Sequence, residues 1–418
     1  MDWYRADPDD TRQARARTAI ERAGIEALLA LSPENAAYLA GRTSYIASLW
    51  RVPGLTATAL GAGGRLAVAL PDADLASFPA SQFVALFPHR LWVEHAVLQD
   101  APSIVDVAGH LRRIRPGGPQ PRPAQFDLDE VFRNAAEAVC AVAAAPKRIG
   151  VDLATVPAAS VALLRAELPG VDLVDASPIF DDLRALKDPD EIEHLRHAAE
   201  LTTLGIAAAR ERLVSGMSEQ AVNAAYQAAI WSLVVADSRY AALRQVEGVA
   251  TVGNAPGGDR TVAPGKTVKF DMQVDVGGYH SDIGRTYALA PTPNQRRVYD
   301  ALRAALLAAQ ESVVPGATFA EVFTTGATAM DEAGFETYSR GHLGHSVGLG
   351  HNYEEAPFIA PDEHRPLVPG MVLSLELPLY LHGLGHFQLE RMLLLTPSGQ
   401  EILDELPFDF EITSHHSS

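Results

Sequence analysis

The stretch Phe270-Asp271-Met272-Gln273-Val274-Asp275-Val276-Gly277-Gly278-Tyr279-His280-Ser281-Asp282-Ile283 decides how this chain is read. Phe270, Met272, Val274 and Val276 alternate strictly with Asp271, Gln273 and Asp275, the period of a half-buried β-strand. Gly277-Gly278 permits the backbone of a tight hairpin turn, and Tyr279 to Ile283 returns as the partner strand. Asp271 and Asp282 stand nearly symmetric about that turn, so antiparallel pairing makes them diagonal neighbours on one face. Two carboxylates so placed repel unless something positive sits between them. Taken alone, the hairpin fits a solvated polar face as well as it fits a cation site.

The pattern recurs nearer the C-terminus. Leu373, Leu375 and Leu377 alternate with Ser374 and Glu376, and His382-Gly383-Leu384-Gly385 connects to Phe387-Gln388-Leu389-Glu390. Gly383 is the midpoint between Glu376 and Glu390, so these two acids can share a face. Between the hairpins lies Gly344-His345-Ser346-Val347-Gly348-Leu349, a histidine among glycines. Two aspartates, one histidine and two glutamates form an oxygen-rich set suited to manganese, iron, cobalt or zinc. Five ligands exceed the three that one catalytic zinc usually takes, and suit two ions sharing bridging carboxylates.

Outward from these hairpins the chain divides. Its 418 residues exceed what one hydrophobic core supports, so two domains are expected, 1–184 and 185–418. In the first, Asp9 and Asp10 cap a helix to about Arg22, with Gly24 as its stop. Ile25 to Leu31 reads as a buried strand, Ser32-Pro33-Glu34-Asn35 as a helix start, and Leu66–Leu70 and Arg148–Val151 as further strands. That is an α/β layer. Asp188-Pro189-Asp190-Glu191 is a capping box opening a long helix, and everything carrying chemistry follows it. No internal repeat stands out, and Ser414-His415-His416-Ser417-Ser418 reads as a disordered tail.

A formal net charge of −18 argues against nucleic acid and anionic lipid as partners. Cys140 is the single cysteine, which excludes an internal disulfide and a Cys-based zinc site. No run approaches the roughly 20 apolar residues of a membrane span, and the first residues show no basic stretch followed by an apolar one. A cytoplasmic protein is expected.

Phe270-Asp271 through Ser281-Asp282-Ile283-Gly284-Arg285-Thr286, then Gly344-His345, Glu376-Leu377-Pro378 and Leu389-Glu390, resemble the five-ligand signature of the pita-bread metallopeptidases. Ser32-Pro33-Glu34-Asn35 with Tyr38-Leu39-Ala40-Gly41 resembles the amino domain of the creatinase and prolidase branch. The resemblance implies an α/β (α+β) architecture: a creatinase/prolidase-type N-terminal domain, then a pita-bread catalytic domain. It further implies two divalent metal ions, manganese foremost, with Asp271 on one, Asp282 and Glu390 bridging, and His345 and Glu376 on the second. A metal-bridging hydroxide would attack the carbonyl before proline, with Glu376 as proton carrier and His342 and His351 as further catalytic candidates. The implied activity is cleavage of Xaa-Pro dipeptides, as in prolidase, by a homodimer acting on small peptides. Aminopeptidase P is the runner-up. An ectoine-type amide hydrolase and a metal-free binding module of the same fold are more distant alternatives.

The chain departs from the family pattern around the substrate. Asn254 stands where a histidine is usual, Asn352 where a second histidine follows His345, and Gln388 where arginine is frequent two places before the last ligand. Gly341 replaces another frequent histidine, with His342 beside it. Asn254, His280, Glu354 and Gln388 are therefore the substrate-side candidates. Arg42, Trp50 and Arg51 are candidates to reach a partner subunit's site.

Overall fold

The computed structural model describes residues 11–89, 103–114, 127–253, 259–350 and 354–412. Asn254, His351, Asn352, the Asp9-Asp10 cap and the C-terminal Ser/His run lie outside these ranges. The chain divides into two compact units, Gln13–Phe180 and Asp181–Ser418, the latter including Arg12. Among the described residues no helix is long and apolar enough to cross a membrane.

The first unit holds β1 (Ala27–Ala30), β2 (Ala57–Gly61), β3 (Leu66–Pro71), β4 (Ala85–His89), β5 (Arg148–Val151) and β6 (Asp172–Asp175) in the order β4-β3-β2-β1-β5-β6. Its helices are α1 (Arg12–Ala23), α2 (Pro33–Ala40), α3 (Tyr45–Trp50), α4 (Val107–Ile114), α5 (Leu128–Val142) and α6 (Ala158–Glu167), and α7 (Ser177–Ala185) runs across the division into the second unit. The sheet is mixed: β1 pairs antiparallel with β2 and parallel with β5. Helix α5 buries Val131, Phe132, Ala135, Ala138, Val139 and Val142, a stripe at helical spacing, against Leu29, Ala57, Ala69 and Val151. Ser32 caps α2 by accepting from the Asn35 amide at 3.3 Å, and Gly41 ends that helix at φ +66°. Buried Asp152, directly after β5, accepts from the Leu31 and Ser32 amides, the Ser32 hydroxyl and the Asn35 side chain. That carboxylate explains why the Ser-Pro-Glu-Asn stretch starts a helix where it does.

The second unit has two halves built in the same order. First come α8 (Pro189–Glu211) and α9 (Glu219–Ala236), then β7 (Leu243–Val252), β8 (Thr267–Val276), β9 (Tyr279–His280) and β10 (Ile283–Ala288). Next come α10 (Pro293–Glu311) and α11 (Phe319–Glu332), then β11 (Gly344–Ser346), β12 (Glu355–Phe358), β13 (Val372–Leu381), β14 (Gly385–Thr396) and β15 (Gly399–Ile402). Each helix pair turns on a glycine at φ +92°, Gly216 or Gly316, followed by a capping hydroxyl, Ser218 or Thr318. Buried Leu213 and Val222 in the first half recur as Val313 and Val322 in the second. This is a duplication that inspection of the sequence missed, because so few residues carry it. Asp188 and Glu191 make the anticipated capping box on α8.

The β8 hairpin differs from its sequence reading in two ways. Much of the polar face of β8 is also covered, with Lys269, Gln273 and Asp275 buried and only Asp271 part-exposed, because that face looks largely onto the second half's sheet rather than solvent. The return is also not continuous: β9 ends at His280 and β10 begins at Ile283, leaving Ser281 and Asp282 between them.

Candidate metal centre

Asp271 lies in the middle of β8, opposite Gly284 of β10. The pairs Asp275–His280 and Met272–Ile283 keep one register through the break, so Asp282 falls diagonal to Asp271 on the same face. Glu376 of β13 and Glu390 of β14 are directly opposite one another. His345 of β11 pairs with Ser374 of β13, two residues before Glu376. The two sheets meet at Gly284, where a Cβ would stand 2.9 Å from the Glu390 Cβ and 2.8 Å from the Gln388 Cγ. Only glycine permits that approach.

The result is a cluster buried at Asp282, His345, Glu376 and Glu390 and open to solvent at Glu354. Donor atoms of Asp282, His345 and Glu390 all lie within 4.8 Å of one another, and those of His342, Glu354 and Glu376 do likewise. The His345 Nε2 is 3.8 Å from the Asp282 Oδ2, while its Nδ1 is 3.0 Å from the Ser346 carbonyl. A proton on Nδ1 donated to that carbonyl leaves Nε2 with a lone pair facing the acids. The Ser374 hydroxyl donates to the Glu390 Oε1 at 2.9 Å, and the Gln388 amide donates to its Oε2 at 3.0 Å. Arg340 donates to the Glu376 Oε1 at 3.2 Å, with the His342 Nδ1 3.5 Å from the same oxygen.

Burial sets the electrostatics. It pushes the Asp282 carboxyl well above the usual carboxylate range, and the charges of Asp271, Glu376 and Glu354 push further. Glu390 is raised well up by burial and then by Asp282, Glu376 and Asp271. Glu376 is pushed to about 7, chiefly by burial, with Arg340 opposing. Burial lowers both His345 and His342. Buried acids that raise one another's pKa, beside a neutral imidazole with its lone pair turned inward, are a donor set that a divalent cation would satisfy. The residues present therefore fit the metal that the sequence implied.

The other candidates are distributed unevenly. Gln388 is buried, with its amide spent on Glu390, on the Lys269 ammonium at 3.1 Å and on the Tyr380 hydroxyl at 3.2 Å. Glu354 is over half exposed, 3.6 Å from the His342 Nε2. His280 shares the polar face of the hairpin but lies against Asp275, at 3.8 Å, four residues along the strand from Asp271. Sequence reasoning overlooked Lys269, Ser374 and Arg340. Lys269 was findable, being two residues before Asp271 and hence on the same strand face. Its ammonium is 2.9 Å from the Asp271 Oδ2; burial pulls it down, but Asp271, Tyr380 and Glu390 raise it overall. Arg340 sits in an irregular segment, where no period points to it.

Acids and a histidine gathered from two facing sheets, largely buried, are a set that could hold a metal ion. The chain carries a metallopeptidase family M24 domain over residues 193–397 and a creatinase/prolidase N-terminal domain over residues 120–186, and is a metallopeptidase. It is 29% identical over 253 residues to a Xaa-Pro dipeptidase of Lactobacillus helveticus, covering 60% of this chain and 68% of that protein. Dipeptidase PepE from Mycobacterium ulcerans matches with a TM-score of 0.72 and 26% identity, over 96% of this chain and 97% of that one. The prolidase of Pyrococcus horikoshii OT3 shares the fold, with a TM-score of 0.73 at 19% identity, over 96% and 100% of the two chains.

Proposed function

We propose that this metallopeptidase hydrolyses the Xaa-Pro bond of dipeptides, using two divalent ions held by Asp271, Asp282, His345, Glu376 and Glu390. The observation that carries the reading is the buried convergence of Asp282, His345 and Glu390, with Glu376 directly across from Glu390. When bound, such ions polarise the scissile carbonyl and supply an activated water. Manganese is the first choice for this donor set, with cobalt, zinc and iron as alternatives.

The chain's own groups do the rest. Glu376, a carboxylate beside the reacting water, would take a proton and return it to the departing amine. Arg340 donates to the Glu376 Oε1 and holds it in place, with the His342 ring beside it. Ser374 and Gln388 fix both oxygens of Glu390. Glu354, partly open to solvent beside His342, is placed to meet a substrate ammonium. Asn254 and His351 remain substrate-side and catalytic candidates outside the described residues. The reading extends to a cytoplasmic homodimer, and the name of the Lactobacillus helveticus relative supports the substrate class.

The test is hydrolysis after chelation and manganese reconstitution, with Ala-Pro and a longer peptide beginning Ala-Pro run side by side. Asp282→Ala serves as the inactive control. Cleavage of the dipeptide alone is expected. Cleavage of the longer peptide would move the assignment to an aminopeptidase, and cleavage of neither by manganese-loaded protein would refute the peptide reading.

A further inference from the structure

One group at the centre has no part in the chemistry above. Lys269 carries a buried ammonium on the strand that bears Asp271, and burying an unpaired ammonium costs several kcal/mol. An apolar residue there would avoid that cost. The ammonium is instead fully engaged. It donates to the Asp271 Oδ2 at 2.9 Å and to the Gln388 Oε1 at 3.1 Å, and it lies 5.4 Å from the Tyr380 ring centre. Gln388 in turn donates to the Glu390 Oε2 at 3.0 Å. A continuous run of contacts, Asp271–Lys269–Gln388–Glu390, thus joins the first half's sheet to the second half's.

We propose that Lys269 is a positioning residue that fixes the Asp271 carboxylate and, through Gln388, sets it in register with Glu390. The proposal rests on the reading of Asp271 and Glu390 as metal ligands. Asp271 needs such a tether: its side chain is 37% exposed, whereas Glu390 and Asp282 are walled in. A positive charge beside a cation site opposes ion binding by itself. A loss of metal affinity on removing that charge therefore comes from lost orientation, and a gain comes from lost competition. Because the ends of Lys269 and Gln388 meet, an ammonium can reach Asp271 from either strand.

The experiment titrates Mn2+ by calorimetry into chelated wild type, Lys269→Met, Lys269→Arg and the double variant Lys269→Met/Gln388→Lys. Ala-Pro kinetics and unfolding in chelator accompany each titration. Lys269→Met is expected to lose at least tenfold in Mn2+ affinity and in kcat, with KM within threefold. Lys269→Arg and the double variant are expected to return both quantities to within threefold of wild type. The proposal is overturned if Lys269→Met binds Mn2+ as tightly as wild type or more tightly. It is equally overturned if the folded double variant stays as impaired as the single one. Should Lys269→Met not fold, Lys269→Gln replaces it under the same criteria. Wild type that binds no Mn2+ removes the metal centre itself, and this proposal with it.

Discussion

Arg285→Met tests how the centre is supported. Arg285 and Asp404 are both fully buried and form an ion pair, with Arg285 one residue beyond Gly284 in β10. The guanidinium also donates to the carbonyls of Gly284 at 2.8 Å, Leu406 at 2.9 Å and Glu390, and it lies over the Phe408 ring at 4.2 Å. Methionine keeps much of the stem's packing but strands a carboxylate. Asp404 would retain the Met392 amide at 3.0 Å and a more distant Arg391 at 3.8 Å. Breaking one side of a buried pair costs about 3–5 kcal/mol. Against a total of roughly 5–15 kcal/mol, that is a large fraction. For a unit of this size it lowers Tm by about 6–20 °C. Urea unfolding in chelator, followed by tryptophan fluorescence, measures the loss without metal linkage. Arg285→Met/Asp404→Leu should recover only part of it, because it removes the stranded carboxylate but takes Asp404 from Arg391 and from the Met392 amide. A single-variant loss below about 1 kcal/mol would refute the reasoning, showing that Asp404 is satisfied without Arg285.

Glu376→Gln should lower kcat on Ala-Pro by about 10²–10⁴ while leaving unfolding in chelator unchanged, since it removes the proposed proton carrier and little packing. Chelation should lower Tm reversibly: manganese at 100 times its Kd contributes about 2.7 kcal/mol, read by calorimetry with and without chelator. His89, buried at the end of β4, has its pKa lowered to about 4, chiefly by burial. Between 6.5 and 4 the unfolded chain binds more protons, so the first unit loses stability as pH falls, by roughly 3 kcal/mol in total. His89→Asn should flatten that slope in pH-dependent urea unfolding, and an unchanged slope would assign it to other groups.

Much of the centre was legible because strands keep a two-residue period. The midpoints at Gly277-Gly278 and Gly383 placed Asp271 diagonal to Asp282 and Glu376 across from Glu390, as the ladders have them. The capping box at Asp188 and the cap at Ser32 could likewise be read, since both are local hydrogen-bond patterns. What could not be read depends on contacts between distant segments. The burial of Gln273 and Asp275 follows from the facing sheet, which no local period announces. Lys269 escaped notice because attention went to the acids on its face rather than to the cation among them. The strand predicted over Ile25–Leu31 is shorter, Ala27–Ala30, because the Leu31 amide turns to Asp152 instead of continuing the ladder.

The duplicated order of the second unit has a consequence for how this centre comes into being. Asp271 and Asp282 belong to one half; His345, Glu376 and Glu390 belong to the other. The buried trio Asp282, His345 and Glu390 draws on both halves, so it is a property of their docking, sealed where Gly284 lets one sheet touch the other. An ion held there would work as a rivet across the seam. Anything that loosens the seam should release the ion before it unravels either copy, and metal content becomes an early gauge of damage to the fold.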